Sequence, residues 1–239
     1  MEVRGERECK NCGTRWSYYE TGSPACPECG SLQSVGLGER RLHTDRPAEL
    51  DLDLAIDALS EGRYRAAGEA ADETAREYVR RRGFINAGEL RSLTDQYLLA
   101  AEIRHVAQLL RLVTPSLIDD GDIDLEYVRT LFEAAATDDR PAAVDVPDSM
   151  AGPRGLGVAD AVEAYHDALK HWVDASDAEV AAGGLLDRLD SHVRRVNALE
   201  GTIDPQEAEK LVAVARSLGT YVRTGSERAA VERALDSLE

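Results

Sequence analysis

Four cysteines in two closely spaced pairs are the feature that most restricts how this chain can fold. Cys9 and Cys12 form one pair, Cys26 and Cys29 form the other, a glycine follows each pair, and 13 residues separate them. Two residues between paired thiols let one tight turn direct both sulfurs at one ion, and the glycine permits a backbone that a Cβ atom would obstruct. Four thiolates fill a tetrahedral shell, so the sequence predicts a closed metal site with zinc as the first candidate.

The residues around these cysteines predict a small β-structured module. The segment 14–19 alternates in the manner of a strand, the segment 22–24 supplies a turn, and the segment 31–41 offers a second strand. We therefore expect a zinc ribbon over residues 1–45. Paired cysteines of this kind in a reducing compartment indicate metal binding rather than disulfides.

The two cysteine knuckles resemble those of two known modules. One is the zinc ribbon of transcription-factor-B type, and the other is the rubredoxin-like module of rubrerythrins, which shares the CxxCG and CPxCG patterns. The first resemblance implies zinc and the second implies iron, so both metals stay open. The whole arrangement, including the stretch from Tyr78 to Phe84, resembles a haloarchaeal family with an N-terminal zinc ribbon, which implies no particular activity.

The charge balance indicates the environment of the protein. Asp and Glu number 45 against 28 Lys and Arg, for a formal net charge of -17, and only three of the basic residues are lysines. An acidic, arginine-rich surface is typical of salt-adapted archaea, where high net charge maintains solubility. We expect a halophilic archaeal source, with an acidic protein from a GC-rich genome as the alternative. Since neither a long apolar run nor a signal peptide is visible, we expect a cytoplasmic location and no membrane partner.

The remainder of the chain, residues 46–239, is predicted to be an acidic all-helical domain. It is rich in Leu and Ala, with charged residues at a helical period. Because no fixed repeat length is visible, we expect a mainly α fold in which the small β ribbon precedes an irregular multi-helix bundle. The segment 138–157, with three prolines and three glycines, is predicted to be the longest loop. The predicted helices span residues 48–60, 62–82, 87–113, 124–137, 158–174, 177–200, 204–223 and 226–238.

Two Glu-x-x-His pairs raise the possibility of a di-iron site of the ferritin-like kind. Glu102 with His105 and Glu163 with His166 have the required spacing. Glu102 lies near the centre of the apolar face of its helix, but Glu163 points roughly 140° away from the centre of its own. A rubrerythrin-like redox protein is therefore only the alternative. A carboxylate on an apolar face needs a partner, so Glu102 is predicted to be buried and to contact an arginine.

The sequence contains no recognisable catalytic machinery. Glycine-rich phosphate loops and the nucleophile elbow are missing, and every cysteine is committed to metal, so we predict no catalytic residues. Residues 1–45 carry six basic and seven acidic side chains, whereas the remainder carries 22 and 38, so the ribbon is the least acidic region. We predict a non-catalytic adaptor, related to transcription or translation, whose ribbon recognises a protein or ribonucleoprotein. Direct nucleic-acid contact is a weaker expectation. The possible contact residues are Arg15, Trp16, Arg80, Arg81 and Arg82.

Overall fold

The computed structural model describes residues 1–113, 123–176 and 181–238. Within these residues the protein is mainly α-helical, with nine α-helices and an N-terminal three-stranded antiparallel sheet, as the sequence predicts. The predicted start of a helix at residue 177 lies outside the described residues.

The N-terminal sheet is built from three strands in the order β2-β1-β3. The strands are β1 (Glu2–Cys9), β2 (Arg15–Ser17) and β3 (Ser34–Leu42), and one helical turn, α1 (Tyr18–Thr21), follows β2. Strand β1 was not predicted, because its exposed charged residues obscure the apolar alternation that marks a half-buried strand. The central strand of the sheet was therefore the one least visible in the sequence.

Eight further helices form the body of the protein. A two-strand hairpin of β4 (Ile85–Asn86) and β5 (Glu89–Leu90) precedes the third of these helices, and two 3-10 turns, Ala143–Asp145 and Asp148–Met150, precede the fifth. The helices are α2 (Asp53–Ser60), α3 (Tyr64–Arg81), α4 (Asp95–Leu112), α5 (Leu125–Thr137), α6 (Ala151–Ala175), α7 (Gly183–Ala198), α8 (Pro205–Thr224) and α9 (Arg228–Asp236).

The helix predicted to begin at residue 87 begins at Asp95 instead. Thr94 caps it by accepting a hydrogen bond from the Tyr97 backbone N–H, and the hairpin occupies the residues before it. Ala87 and Gly88 form the hairpin turn with φ values of 53° and 88°, a left-handed conformation that a helix cannot continue through. The turn geometry therefore overrides the helical periodicity of the flanking residues.

The prediction of a long loop over residues 138–157 is wrong at its C-terminal end, because α6 already begins at Ala151. Pro153 lies in the first turn, where its missing N–H removes no helical hydrogen bond. Gly155 and Gly157 serve close packing: a Cβ at Gly155 would lie 2.1 Å from the Gly201 carbonyl oxygen. Gly155 and Gly157, which favoured the prediction of a loop, are instead the points at which α6 contacts other segments of the chain.

The main core lies between α4 and the helices around it, α3, α5 and α6. Ala67, Ala71 and Ala75 on α3 are completely buried, and these small side chains let the neighbouring helices pack closely. A separate cluster of only Cys9, Trp16 and Cys26 forms the interior of the ribbon. The ribbon segment also bonds to the body, since the Thr44 N–H donates to the Ile85 carbonyl at 2.8 Å. The division into two domains at residue 45 remains a prediction.

Candidate metal centre

Both cysteine knuckles adopt the same backbone arrangement. The Gly13 N–H donates to the Cys9 carbonyl at 3.0 Å, and the Gly30 N–H donates to the Cys26 carbonyl at 2.9 Å. The two glycines have φ values of 76° and 69°, which residues with a Cβ atom rarely adopt. Each CxxCG motif therefore folds into one tight turn with both thiols on the same side.

The four sulfur atoms converge on one point. All lie within 4.8 Å of one another, and the Sγ distances of Cys9 to Cys29 and of Cys12 to Cys26 are both 3.6 Å. Four thiolates at about 2.3 Å from a tetrahedral ion would stand about 3.8 Å apart. A disulfide would need about 2.0 Å. The four cysteines are therefore positioned to bind a metal ion.

Hydrogen-bond donors lie beside three of the four thiols. Cys9 and Cys26 are buried while Cys12 and Cys29 are exposed. The Asn11 backbone N–H donates to the Cys9 sulfur at 3.4 Å, and its side-chain amide approaches the Cys29 sulfur at 3.8 Å. Hydrogen bonding with Thr14 lowers the pKa of Cys12 to about 6, whereas the neighbouring Cys12 thiol and burial raise the pKa of Cys29 to about 11. Donors of this kind orient thiolate ligands and stabilise their charge.

Trp16, one of the residues expected to contact a partner, lies in the interior of the ribbon. Its ring is buried in the ribbon interior, and its indole N–H donates to the Ser23 carbonyl at 3.2 Å. A side chain held in the smaller core offers little surface to a partner, so the burial of Trp16 weakens this expectation, which remains a prediction. Arg15, beside it on β2, is exposed and pairs with Glu8 at 2.6 Å.

The arginines at the end of α3 and just after it do not form one basic patch. Arg80 and Arg81 both pair with Glu77, at 2.5 and 3.8 Å, whereas Arg82 pairs with Asp45 at 3.1 Å. Each guanidinium has a carboxylate of its own chain beside it. Their proposed role as partner contacts is therefore weakened and remains a prediction.

Glu102 lies at the centre of a fully buried cluster of polar side chains. The Tyr127 hydroxyl donates to Oε1 at 2.5 Å, and Arg154 Nη1 donates to Oε2 at 2.7 Å. Arg140 approaches Oε2 at 3.5 Å. Burial, with the Glu102 charge adding to it, raises the pKa of Tyr127, so the phenol stays protonated and acts as the donor.

A second carboxylate balances the charge of this cluster. Glu209 on α8 accepts from Arg140 Nη1 at 2.9 Å and pairs with Arg154 Nη2 at 3.1 Å. Arg154 also donates to the Pro141 carbonyl at 2.7 Å. Two arginines thus lie between two glutamates, which joins α4, α6 and α8. Sequence reasoning missed Arg154 because it lies in the segment taken for a loop.

The two Glu-x-x-His pairs do not come together. Glu163 is exposed on α6, while Glu102 is occupied by Tyr127 and the arginines. His105 instead pairs through Nε2 with Asp160 at 2.9 Å. Among the residues that the structure describes, the four cysteines are the only group of three or more potential ligands whose donor atoms converge. In the described residues, the carboxylates and histidines of the helical body therefore do not form a di-iron centre.

This protein therefore combines an N-terminal four-cysteine module positioned to bind a metal with a mainly helical body, which departs from the predicted all-helical domain by the β4–β5 hairpin. The chain belongs to DUF7117, a family of unknown function, whose model matches residues 1–238. Neither the curated proteins nor the solved structures contain a significant match to it. In the described part of the chain, the helices are too short or too polar to cross a membrane.

Proposed function

We propose that the four cysteines hold one zinc ion whose role is structural. The closed shell supports this, since four thiolates leave no coordination position for water or substrate. The small interior of the ribbon supports it as well, because two of the three buried hydrophobic residues in it, Cys9 and Cys26, would themselves be ligands. Without the ion, very little else would hold the ribbon together.

We further propose that the protein is a non-catalytic adaptor of the cytoplasm, where thiols stay reduced. Its ribbon recognises a protein or ribonucleoprotein partner related to transcription or translation. The observation that carries the proposal is the closed metal site within the least acidic part of a strongly acidic chain: residues 1–45 have a net charge of -1 and the rest -16. An approaching macromolecule is repelled least at the ribbon.

The helical body offers a second contact surface. A groove of about 1180 Å³ runs between residues 49–55 and α3, and seven carboxylates and three arginines line it. Leu54 lies beside these charges with 78% of its surface exposed. An adaptor that uses both surfaces gains affinity from two linked contacts without needing either to be strong.

The alternative function is a rubrerythrin-like redox protein with iron in the four-cysteine site. The rubredoxin-like pattern of the knuckles favours it, because four thiolates also suit iron. Elemental analysis of purified protein separates the two readings. We expect one zinc per chain. If the protein contains iron instead and shows a visible thiolate-to-metal absorption band, the redox function replaces the adaptor function.

The adaptor proposal is tested by quantitative capture from an extract of the source cells. The full chain, Cys26→Ser and the control Glu163→Gln are compared, since Glu163 is exposed on α6 and outside the ribbon. We expect Cys26→Ser to lose specific partners that the control retains. If all three proteins capture the same partners, or none captures any, the ribbon is not the recognition element.

A further inference from the structure

The arginines of the ribbon differ from those of the helical body in their ion pairing. In residues 46–238, 15 of 20 arginines lie within 4.0 Å of a carboxylate. In residues 1–45, only Arg15 of the five arginines does so. The ribbon contains seven carboxylates of its own, so a shortage of local acids does not explain the difference.

Two of these arginines face each other across the sheet. Arg4 on β1 is directly opposite Arg40 on β3, and both are exposed. Like charges at directly opposed positions of an antiparallel pair destabilise it. Among the described residues, no carboxylate lies within 4.0 Å of either guanidinium to offset the repulsion. The register of β1 and β3 therefore places two positive charges at opposed positions, an arrangement that costs stability.

Local packing determines where the Arg4 side chain lies. A Cβ at Gly36 would lie 2.9 Å from the Arg4 Cβ atom, so the missing side chain at Gly36 leaves room for Arg4 to lie across β3. Nearby, Arg7 donates to the Ser34 hydroxyl from Nε at 3.1 Å and from Nη2 at 2.9 Å. Arg7 is thus held in place, while Arg4 and Arg40 remain free to contact a ligand.

We propose that Arg4 and Arg40 form the contact on the ribbon for an acidic segment of a protein partner. Guanidinium groups bind carboxylates through paired, charge-assisted hydrogen bonds, and an anion between the two would turn their repulsion into attraction for the ligand. This inference rests on the proposed adaptor function and specifies the chemistry of its partner.

A nucleic-acid ligand fits this surface less well. The chain has a net charge of -17, which opposes any anionic ligand, but the continuous phosphate charge of a nucleic acid would extend beyond these two arginines and meet more of that acidic surface than a short segment does. Single-stranded nucleic acids also bind through exposed aromatic rings. Trp16 is buried, and Tyr18 and Tyr19 pack against His43 with ring centroids 5.9 and 4.9 Å away. A few carboxylates of a protein segment need neither a stacking platform nor a long basic surface.

The test is an NMR titration of the full-length, metal-loaded protein with a synthetic glutamate-rich peptide at low ionic strength. We expect saturable shifts of the Arg4 and Arg40 signals, and a loss of affinity of about fivefold in Arg4→Gln or Arg40→Gln. Arg15→Gln is the matched control, because Arg15 is exposed on the same sheet but already paired with Glu8. It should bind the peptide as the unmodified chain does.

A lack of saturable binding, or equal affinity in all variants, would overturn the proposal. So would tighter binding of a uridine oligonucleotide than of the peptide at the same residues. Thermal melting checks that the variants fold, and relief of repulsion should leave Arg40→Gln at least as stable as the unmodified chain. If Cys26→Ser loses its captured partners but Arg4→Gln and Arg40→Gln keep theirs, the adaptor function stands and only the arginine contact fails.

Discussion

Glu102 illustrates how one residue depends on the whole structure. Its side chain is fully buried, and the guanidinium of Arg154, itself 1% exposed, lies 2.7 Å from its carboxylate. A buried carboxylate is tolerated only when hydrogen bonds and opposite charge replace the water that it lost. Tyr127 and the two arginines supply these interactions. With Glu209, the cluster is a structural element that joins four helices, α4, α5, α6 and α8.

Replacing Glu102 with Ala should reduce the free energy of unfolding by roughly 3 kcal/mol or more, because two buried arginines would lose their countercharge. Urea unfolding monitored by circular dichroism measures the change. Glu163→Ala is the control, since Glu163 is exposed on α6, and it should alter stability by less than about 0.5 kcal/mol. A loss below about 1 kcal/mol for Glu102→Ala would show that the cluster is not a stabilising unit.

At the scale of elements, the contact of α4 with α6 depends on a missing side chain. A Cβ at Gly157 would lie 2.5 Å from the Glu102 Cα atom, which is backbone and cannot move aside cheaply. The helices therefore approach closely enough for Arg154, one turn earlier on α6, to reach Glu102. A single methyl group at this point would separate both the helices and the buried ion pair.

Gly157→Ala should therefore destabilise the protein by about 1–3 kcal/mol, despite the higher helix propensity of alanine. Thermal and urea unfolding of the two proteins check this. Gly184→Ala in α7 provides the matched control: nothing lies within 4 Å of a Cβ there, so we expect a neutral change or a gain of up to about 1 kcal/mol. Equal behaviour of the two variants would contradict the close-packing role.

The junction between the ribbon and the body contains a buried histidine. His43 is 2% exposed, packs on Tyr19, and accepts a hydrogen bond from the Ala87 N–H at Nδ1 over 3.4 Å. Burial lowers the pKa of His43, with Arg46 acting in the same direction and Asp45 opposing it. The neutral ring is the form that the folded junction accommodates.

We expect this junction to weaken in mild acid. Because the folded-state pKa is below the unfolded value of about 6.5, the stabilisation is complete above that pH and is lost as the pH falls through the folded pKa. The free energy of unfolding between neutral pH and about pH 5 should fall less steeply in His43→Gln than in the unmodified chain. His171→Gln, at an exposed position on α6, should retain the original slope. An unchanged slope in His43→Gln would refute the assignment.

For the whole molecule, we expect the metal site and the helical core to stabilise different regions. The ribbon interior contains three buried hydrophobic residues, two of them candidate metal ligands, whereas the main core spans the helices from α2 to α9. We expect Cys26→Ser to lose the bound metal and unfold the ribbon while the helical circular dichroism signal persists. Elemental analysis and NMR of the ribbon amides provide the measurements. Glu28→Ala, an exposed change in the same knuckle, should retain both metal and fold, and loss of the helical signal in Cys26→Ser would contradict this independence.

Features that depend on local spacing could be predicted from the order of the amino acids. The knuckles follow from the positions of Cys9, Cys12, Cys26 and Cys29, since two residues between thiols and a following glycine define the turn. The helical period likewise placed Glu102 on the buried face of α4, because 100° per residue holds wherever the helix forms.

The partners of these residues, in contrast, depend on how distant segments of the chain pack together. Arg154 and Glu209 are distant from Glu102 in sequence, and no local pattern links them. The start of α6 depended on Gly155 and Gly157 as contact points rather than as helix breakers, because the packing of a neighbouring segment outweighs their low helix propensity. The opposition of Arg4 and Arg40 depended on the register of β1, a strand without a visible apolar pattern. Contacts between distant segments are set by packing across the whole fold, and local periodicity contains no information about them.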